Sequence, residues 1–308
     1  MYIGVDIGGT NIAAGVVNSG GRILRKESVK TRTADGYKAI LDDIAALIES
    51  LRASGDGTED IIQIGVGCPG CCNQDTGIVE LCVNLGWKDV PLVRDLGAIV
   101  GIPVTIENDA NAAAFGEFVA GAARGAKSAV AITLGTGVGA GVIIDGKLLH
   151  GSNYAGGELG HIVMEVGGEP CGCGRRGCFE AYSSATALIR DTRRAMDANP
   201  DSLMHPIAAE LGKISARGAW LARTRGDAAG TAVVEKYIEY LAEGIANVVN
   251  IFQPEIVCIG GGVCNEGDNL LIPLKAAVAS RVYGGKSPRI AVCELGNDAG
   301  IIGAALCS

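Results

Sequence analysis

The chain has 308 residues, of which 48% are hydrophobic and 4% aromatic, with 47 glycines and a formal net charge of −8. That length suffices for two domains with a substantial core. The negative balance argues against nucleic acid as a partner, because phosphate backbones are held by clustered Lys and Arg. Mean hydropathy is +0.30, yet the apolar residues come in short runs and none approaches the roughly 18 needed to span a bilayer, so no membrane partner is expected. The opening Met1-Tyr2-Ile3-Gly4-Val5-Asp6 reads as a strand and not as a signal peptide. A cytoplasmic location is the expectation, with reduced thiols. Cys68, Cys71, Cys72, Cys82, Cys258, Cys264, Cys293 and Cys307 read as small hydrophobes, ahead of a vicinal Cys71–Cys72 disulfide.

In chain order, Ile3–Ile7 and Ile12–Val17 flank Gly8-Gly9-Thr10, which predicts a β-hairpin. Gly20-Gly21 makes a second turn. Ile40, Ile44, Leu47, Ile48 and Leu51 fall at helical spacing with one buried face. Ile61–Val66 and Val104–Ile106 read as buried strands. The alanine-rich Asn108–Ala123 follows as a helix, N-capped by Asn108 or Asp109. A second hairpin spans Ala129–Leu134 and Gly141–Ile144. With an offset of 126 residues, Gly9, Thr10, Ala14, Gly15 and Val16 superpose on Gly135, Thr136, Ala140, Gly141 and Val142, which favours an internal duplication. Helices are expected over Tyr182–Ala198, Met204–Leu211, Ala229–Phe252, near Leu270–Val282 and over Ala299–Cys307, with strands at Ile256–Ile259 and Ile290–Cys293. Strands alternating with helices imply an α/β protein with mostly parallel sheets.

The densest chemistry lies between Glu158 and Glu180. His161, Cys171, Cys173 and Cys178 are one imidazole and three potential thiolates, the tetrahedral set of a closed structural zinc site. Gly172, Gly174 and Gly177 let the backbone wrap an ion, since glycine reaches φ > 0 without a Cβ clash. Four protein ligands leave no open position, so metal here would shape a loop and not perform chemistry.

Three glycine turns follow apolar strands: residues 6–10, 134–139 and 259–262. Such turns can cradle phosphates on backbone N–H groups. Asp6 could hold Mg²⁺ through water, and Thr10 and Thr136 could donate hydroxyls to phosphate. No Walker-type or dinucleotide-fold glycine motif is present. Glu107-Asn108-Asp109 places polar residues at a strand end before a helix, where a carboxylate can serve as a general base or merely cap the helix. His150 and His205 have no identifiable partners in the sequence and read as ordinary surface or loop residues.

Together these residues resemble the ROK family of sugar kinases and repressors, and within it the bacterial glucokinases, over essentially the whole chain. The resemblance is carried by Asp-Ile-Gly-Gly-Thr (6–10), Gly-Val-Gly-Cys-Pro-Gly (65–70), Asn-Leu-Gly-Trp (84–87) and Glu-Asn-Asp-Ala-Asn-Ala-Ala-Ala (107–114). It continues through Leu-Gly-Thr-Gly-Val-Gly (134–139), Glu-x-Gly-His (158–161), the Cys-rich segment (171–180), Gly-Gly-Gly-Val (260–263) and Gly-Asn-Asp-Ala-Gly (296–300). It implies an actin-like ATPase (ribonuclease H-like) fold with two duplicated α/β domains around a cleft. Their expected extents are 1–118 plus 296–308 and 119–295, the latter carrying the zinc loop at about 158–180.

The resemblance also implies ATP-dependent phosphorylation of the 6-hydroxyl of a hexose, with Asp109 as catalytic base. Gly70, Asn108, Asp109, Glu158, His161 and Glu180 would contact the sugar. Asp6, Gly8, Gly9, Thr10, Asn11, Gly135, Thr136, Gly137, Gly260, Gly261 and Gly262 would hold Mg-ATP. A homodimer or homotetramer is the family's common assembly. Where some members carry Arg after Pro-Gly, this chain has Cys71-Cys72, so only Gly70 is carried over from that loop.

A repressor would need a DNA-binding domain ahead of the 6–10 motif, for which no room is expected. A non-catalytic sugar sensor should tolerate loss of Asp109, which is present. N-acetylmannosamine, N-acetylglucosamine, fructose and allose remain rival sugars, with Asn-Leu-Gly-Trp, Glu158 and Glu180 favouring glucose by family analogy.

Overall fold

The structure, a computed structural model, describes residues 1–54 and 60–307. Two five-stranded sheets dominate it. In the first, β1 (Tyr2–Ile7), β2 (Asn11–Val17) and β3 (Ile23–Lys30) form an antiparallel meander. Helix α1 (Gly36–Ala53) then leads to β4 (Gln63–Cys68), parallel to β1. A small antiparallel sheet follows: β5 (Cys71–Asn73), β6 (Ile78–Cys82) and β7 (Trp87–Val90). Helix α2 (Leu92–Val100) returns the chain to β8 (Val104–Asn108), parallel to β4, and α3 (Asp109–Ala120) leaves its end.

The second sheet comprises β9 (Ala129–Leu134), β10 (Val138–Ile144) and β11 (Lys147–Leu148). After helices α4 (Glu180–Ser183), α5 (Ala185–Ala198), α6 (Met204–Glu210), α7 (Gly218–Thr224) and α8 (Ala228–Phe252) it continues with β12 (Ile256–Gly260). Helix α9 (Asp268–Ala279) and β13 (Arg289–Val292) complete it, and α10 (Ala299–Leu306) ends the described chain. The strand orders are β3-β2-β1-β4-β8 and β11-β10-β9-β12-β13. Each runs third, second, first, fourth, fifth in its own half, the repeat signalled by the matched hairpins. Among the described residues no helix is long and apolar enough to cross a membrane.

By internal packing the chain forms two compact units. One comprises Met1–Ala131, Gly141–Gly157 and Cys293–Ser308; the other Ile132–Ala140 and Glu158–Val292. The cut passes through β9 and β10, and α3 runs on to Ala120, past the expected boundary at 118.

In the first unit, Ile3, Val5 and Ile7 of β1 face a core completed by Ile40, Ile44, Leu47, Ile48 and Leu51 of α1 and by Leu92 and Leu96 of α2. Helix α10 packs backbone to backbone: a Cβ at Gly4 or Gly65 would overlap the carbonyl of Ile301 or Ala304. Small residues at those two strand positions therefore set how closely the last helix lies on β1 and β4. The buried Glu117 carboxylate joins the end of α3 to the approach to α10. It accepts N–H bonds from Ala122 (2.9 Å), Glu294 (3.0 Å) and Leu295 (2.8 Å).

The expected helix over Tyr182–Ala198 is two helices, because Ser184 breaks it in extended backbone and caps α5 through Ala187 N–H. Helix α2 and the β5–β7 sheet have no counterpart in the sequence reading. Strand β4 starts two residues later than expected, with Ile61 and Ile62 outside it.

Candidate active site

Unit one holds the proposed base. Asn108 sits in extended backbone at the end of β8 and its side-chain oxygen accepts from Ala110 N (2.9 Å) and Asn111 N (3.1 Å), so Asn108 is the N-cap of α3. Its amide nitrogen donates to Gly70 O at 3.0 Å. Gly70 has φ 94°, and a Cβ there would overlap Leu81 O, so the turn that brings its carbonyl to Asn108 requires glycine. Asp109 follows as the first residue of α3 and is half-buried.

Asp6, near the end of β1, has its carboxyl pushed up to about 6, first by burial and then by the charge of Asp109. The same carboxylate lies against Gly300 in the first turn of α10. The turn beyond it is braced: Gly8 N–H donates to Asn11 O at 2.9 Å, Thr31 Oγ1 donates to Gly8 O at 2.7 Å, and Thr31 N–H donates to Thr10 O at 2.9 Å. Gly9, Thr10 and Asn11 are exposed, and apart from its chain neighbours no atom of the described residues lies within 4 Å of where a Gly9 Cβ would sit.

Unit two holds the metal candidate and the other turns. The ligand atoms of His161, Cys171, Cys173 and Cys178 lie within 4.8 Å of one another. Cys173 Sγ and Cys178 Sγ are 3.7 Å apart, as are Cys171 Sγ and His161 Nδ1. A tetrahedron with Zn–S of about 2.3 Å and Zn–N of about 2.0–2.1 Å has S–S edges of about 3.8 Å and S–N edges of about 3.6 Å, so the donor set fits zinc. The backbone N–H of Arg175 holds the Cys173 thiol below its ordinary value, whereas burial raises those of Cys171 and Cys178, so without an ion only Cys173 is favoured as thiolate. Gly174 (φ 87°) and Gly177 (φ 81°) take the left-handed backbone anticipated for the loop, whereas Gly172 does not. Phe179, fully buried, anchors the loop against Gly244 of α8, where a Cβ would overlap its ring.

With Nδ1 turned to Cys171, the Nε2 of His161 faces outward, 4.0 Å from Glu158 Oε2. Gly160 between them lies on Val138 O so closely that no Cβ would fit. Glu180, the first residue of α4, accepts from Val138 N at 3.0 Å and from the Cys171 thiol at 3.4 Å. One carboxylate thus ties the metal loop to the 135–137 turn. In that turn Gly135 N–H donates to Gly137 O (3.0 Å) and Thr186 Oγ1 donates to Thr136 O (2.7 Å). Gly260 ends β12. Gly261 (φ 91°) presses on Leu134, so the 260–262 turn lies beside the end of β9, next to the 135–137 turn. Thr136, Gly261 and Gly262 are exposed.

Sequence reasoning missed one part of the site. His150 is not an ordinary surface residue: its Nε2 lies 2.8 Å from Oε2 of Glu107, which is 2% exposed. The signal was a charged residue ending the apolar run 104–106, a position that buries its side chain. In the Asn-Leu-Gly-Trp segment, Leu85 and Trp87 serve the core, with Trp87 edge-on to Tyr37 at 5.2 Å.

The model of the ROK family matches residues 2–307. A glucokinase of Halalkalibacterium halodurans is 42% identical over 98% of this chain and 93% of that protein. Among solved structures, a ROK family glucokinase from Streptomyces griseus in complex with glucose and AMPPNP is 35% identical, with TM-score 0.82 over 99% of this chain and 97% of that one. The ROK hexokinase of Thermus thermophilus is 34% identical, with TM-score 0.85 over 100% and 97%. On a family match over nearly its whole length, together with the two sheets of one strand order, the chain belongs to the ROK family.

Proposed function

We propose that this chain is an ATP-dependent glucokinase, transferring the γ-phosphoryl group to the 6-hydroxyl of glucose. The observation that carries the reading is the divided imidazole of His161, with Nδ1 among three thiols and Nε2 beside Glu158. A ring held by its metal nitrogen has one tautomer and one orientation, so its other N–H becomes a fixed donor for a sugar hydroxyl. Glu158 and Glu180 supply acceptors beside it. Sugar hydroxyls both donate and accept, and an analogue lacking a matched hydroxyl leaves a buried group unpaired.

Asp109 accepts the proton of the 6-hydroxyl as that oxygen attacks phosphorus, and Asn108 orients the sugar from the adjacent position. The glycine turns at 8–10, 135–137 and 260–262 offer backbone N–H groups to the nucleotide phosphates. Mg²⁺ held through Asp6 would neutralise charge on the transferring group, while zinc on His161, Cys171, Cys173 and Cys178 would be structural. Phosphoryl transfer needs mainly positioning and electrostatics, which fits a site with one candidate base.

The test is ADP release across a panel of hexoses and amino-hexoses. Glucose is expected to give the highest kcat/KM. A panel led by N-acetylmannosamine or fructose would keep the kinase and replace the sugar; no sugar-dependent ADP release would leave a sensor.

A further inference from the structure

The mechanism above leaves unused a buried carboxylate one residue before the sugar-binding pair. Glu107 accepts four hydrogen bonds. Its Oε1 takes the backbone N–H of Asn108 (2.8 Å) and the side-chain amide of Asn111 (3.0 Å). On its Oε2 converge His150 Nε2 (2.8 Å) and the amide of Gln74. The Gln74 amide nitrogen also lies 2.9 Å from His150 Nε2, but a carboxylate only accepts, so the ring nitrogen is the donor to Glu107 and the amide bonds the carboxylate and not the ring. Those donors come from β8, α3, the turn between β5 and β6, and the segment after β11. Asp109 lies between the two residues held by Oε1. The carboxylate therefore fixes the turn that carries the base.

A carboxylate this buried must be neutralised or matched by charge, because an isolated buried ion is strongly disfavoured. Of its four donors only His150 can carry a positive charge. Among the described residues, the Cys307 thiol at the end of α10 lies near the pair; burial pushes it up to about 12 and it also feels the charge of Glu107. Gln74 and Asn111 are neutral. The hydrogen bond from Glu107 is the largest influence on His150 and raises its pKa.

We propose that His150 is a positioning residue for phosphoryl transfer: as imidazolium it pairs with the buried Glu107 carboxylate, and Glu107 in turn fixes Asn108, Asn111 and the Asp109 carboxylate between them. This rests on the kinase reading above. When His150 loses its proton the buried charge is uncompensated, the Oε1 contacts loosen, and turnover falls while the nucleotide turns are untouched. Because the folded-state pKa of His150 is raised, the imidazolium is present below it and lost as pH rises through it.

The experiment compares kcat and KM for glucose against pH in the wild type and in His150→Gln, which keeps a donor and removes the charge. The wild type should show a falling alkaline limb whose midpoint matches the His150 titration followed by NMR. His150→Gln should lose about tenfold to hundredfold in kcat, the scale of a small misplacement of a reacting group. It should also lose that limb, with KM changing less than kcat. An unchanged kcat and pH profile would overturn the proposal, as would a lowered melting temperature with the alkaline limb intact. If His150→Gln does not fold, a wild-type limb whose midpoint departs from the NMR titration decides against it. A wild type without sugar-dependent ADP release would instead sink the kinase reading, so the two failures are distinguishable.

Discussion

Asp6→Asn should make the protein more stable and less active. The Asp6 carboxyl is pushed from 3.8 up to about 6, burial contributing most and the charge of Asp109 next. A rise of about two units is a penalty of about 3 kcal/mol on the ionised form, carried by the folded protein at neutral pH. The sign follows from proton counts. Between pH 3.8 and about 6 the folded state holds a proton that the unfolded state has released, so wild-type stability falls as pH rises through that window. Asparagine has no such titration. The variant should therefore gain little near pH 4 and about 1–3 kcal/mol at pH 7.5, the lower end allowing for lost contact with the positive end of α10. Urea unfolding of both proteins at pH 4.5, 6 and 7.5 reads the difference directly. ATP-dependent turnover should fall at the same time, because the carboxylate proposed to hold Mg²⁺ is gone. A stability difference independent of pH, or a variant less stable than wild type at pH 7.5, would refute the reasoning.

Replacing Cys178 by Ser removes one of four metal donors, so elemental analysis should find zinc near one per chain in the wild type and well below that in the variant. If zinc stands about a thousandfold above its dissociation constant, its loss lowers stability by about 4 kcal/mol. Chelation of the wild type should produce a similar drop in melting temperature. Glu117→Gln puts an amide against three backbone N–H donors. It should cost about 2–4 kcal/mol in chemical denaturation while leaving KM for glucose within twofold.

Much of the fold was legible because periodicity and glycine placement act locally. The spacing of Ile40, Ile44, Leu47, Ile48 and Leu51 marks the buried face of α1, and all five are in the core. The repeated hairpin sequence announced two sheets of one strand order. The clustering of His161, Cys171, Cys173 and Cys178 was legible because these candidate ligands lie close in sequence. Helix α2 was overlooked although Leu92, Leu96 and Val100 fall at helical spacing, because it is only nine residues long, and the strands of the β5–β7 sheet are too short to show an alternation. The pairing of His150 with Glu107 joins residues 43 apart and leaves no mark on either neighbourhood. The commitment of Glu180 to Val138 N–H and Cys171 arises likewise from tertiary packing.

The most direct measurement is steady-state phosphorylation of glucose by zinc-loaded Asp109→Asn beside the wild type. The account expects kcat to fall by about 10²–10⁴, the usual contribution of a general base, with KM for glucose within a few fold and zinc content unchanged. Turnover within a factor of a few of the wild type would remove Asp109 from the chemistry and contradict the mechanism.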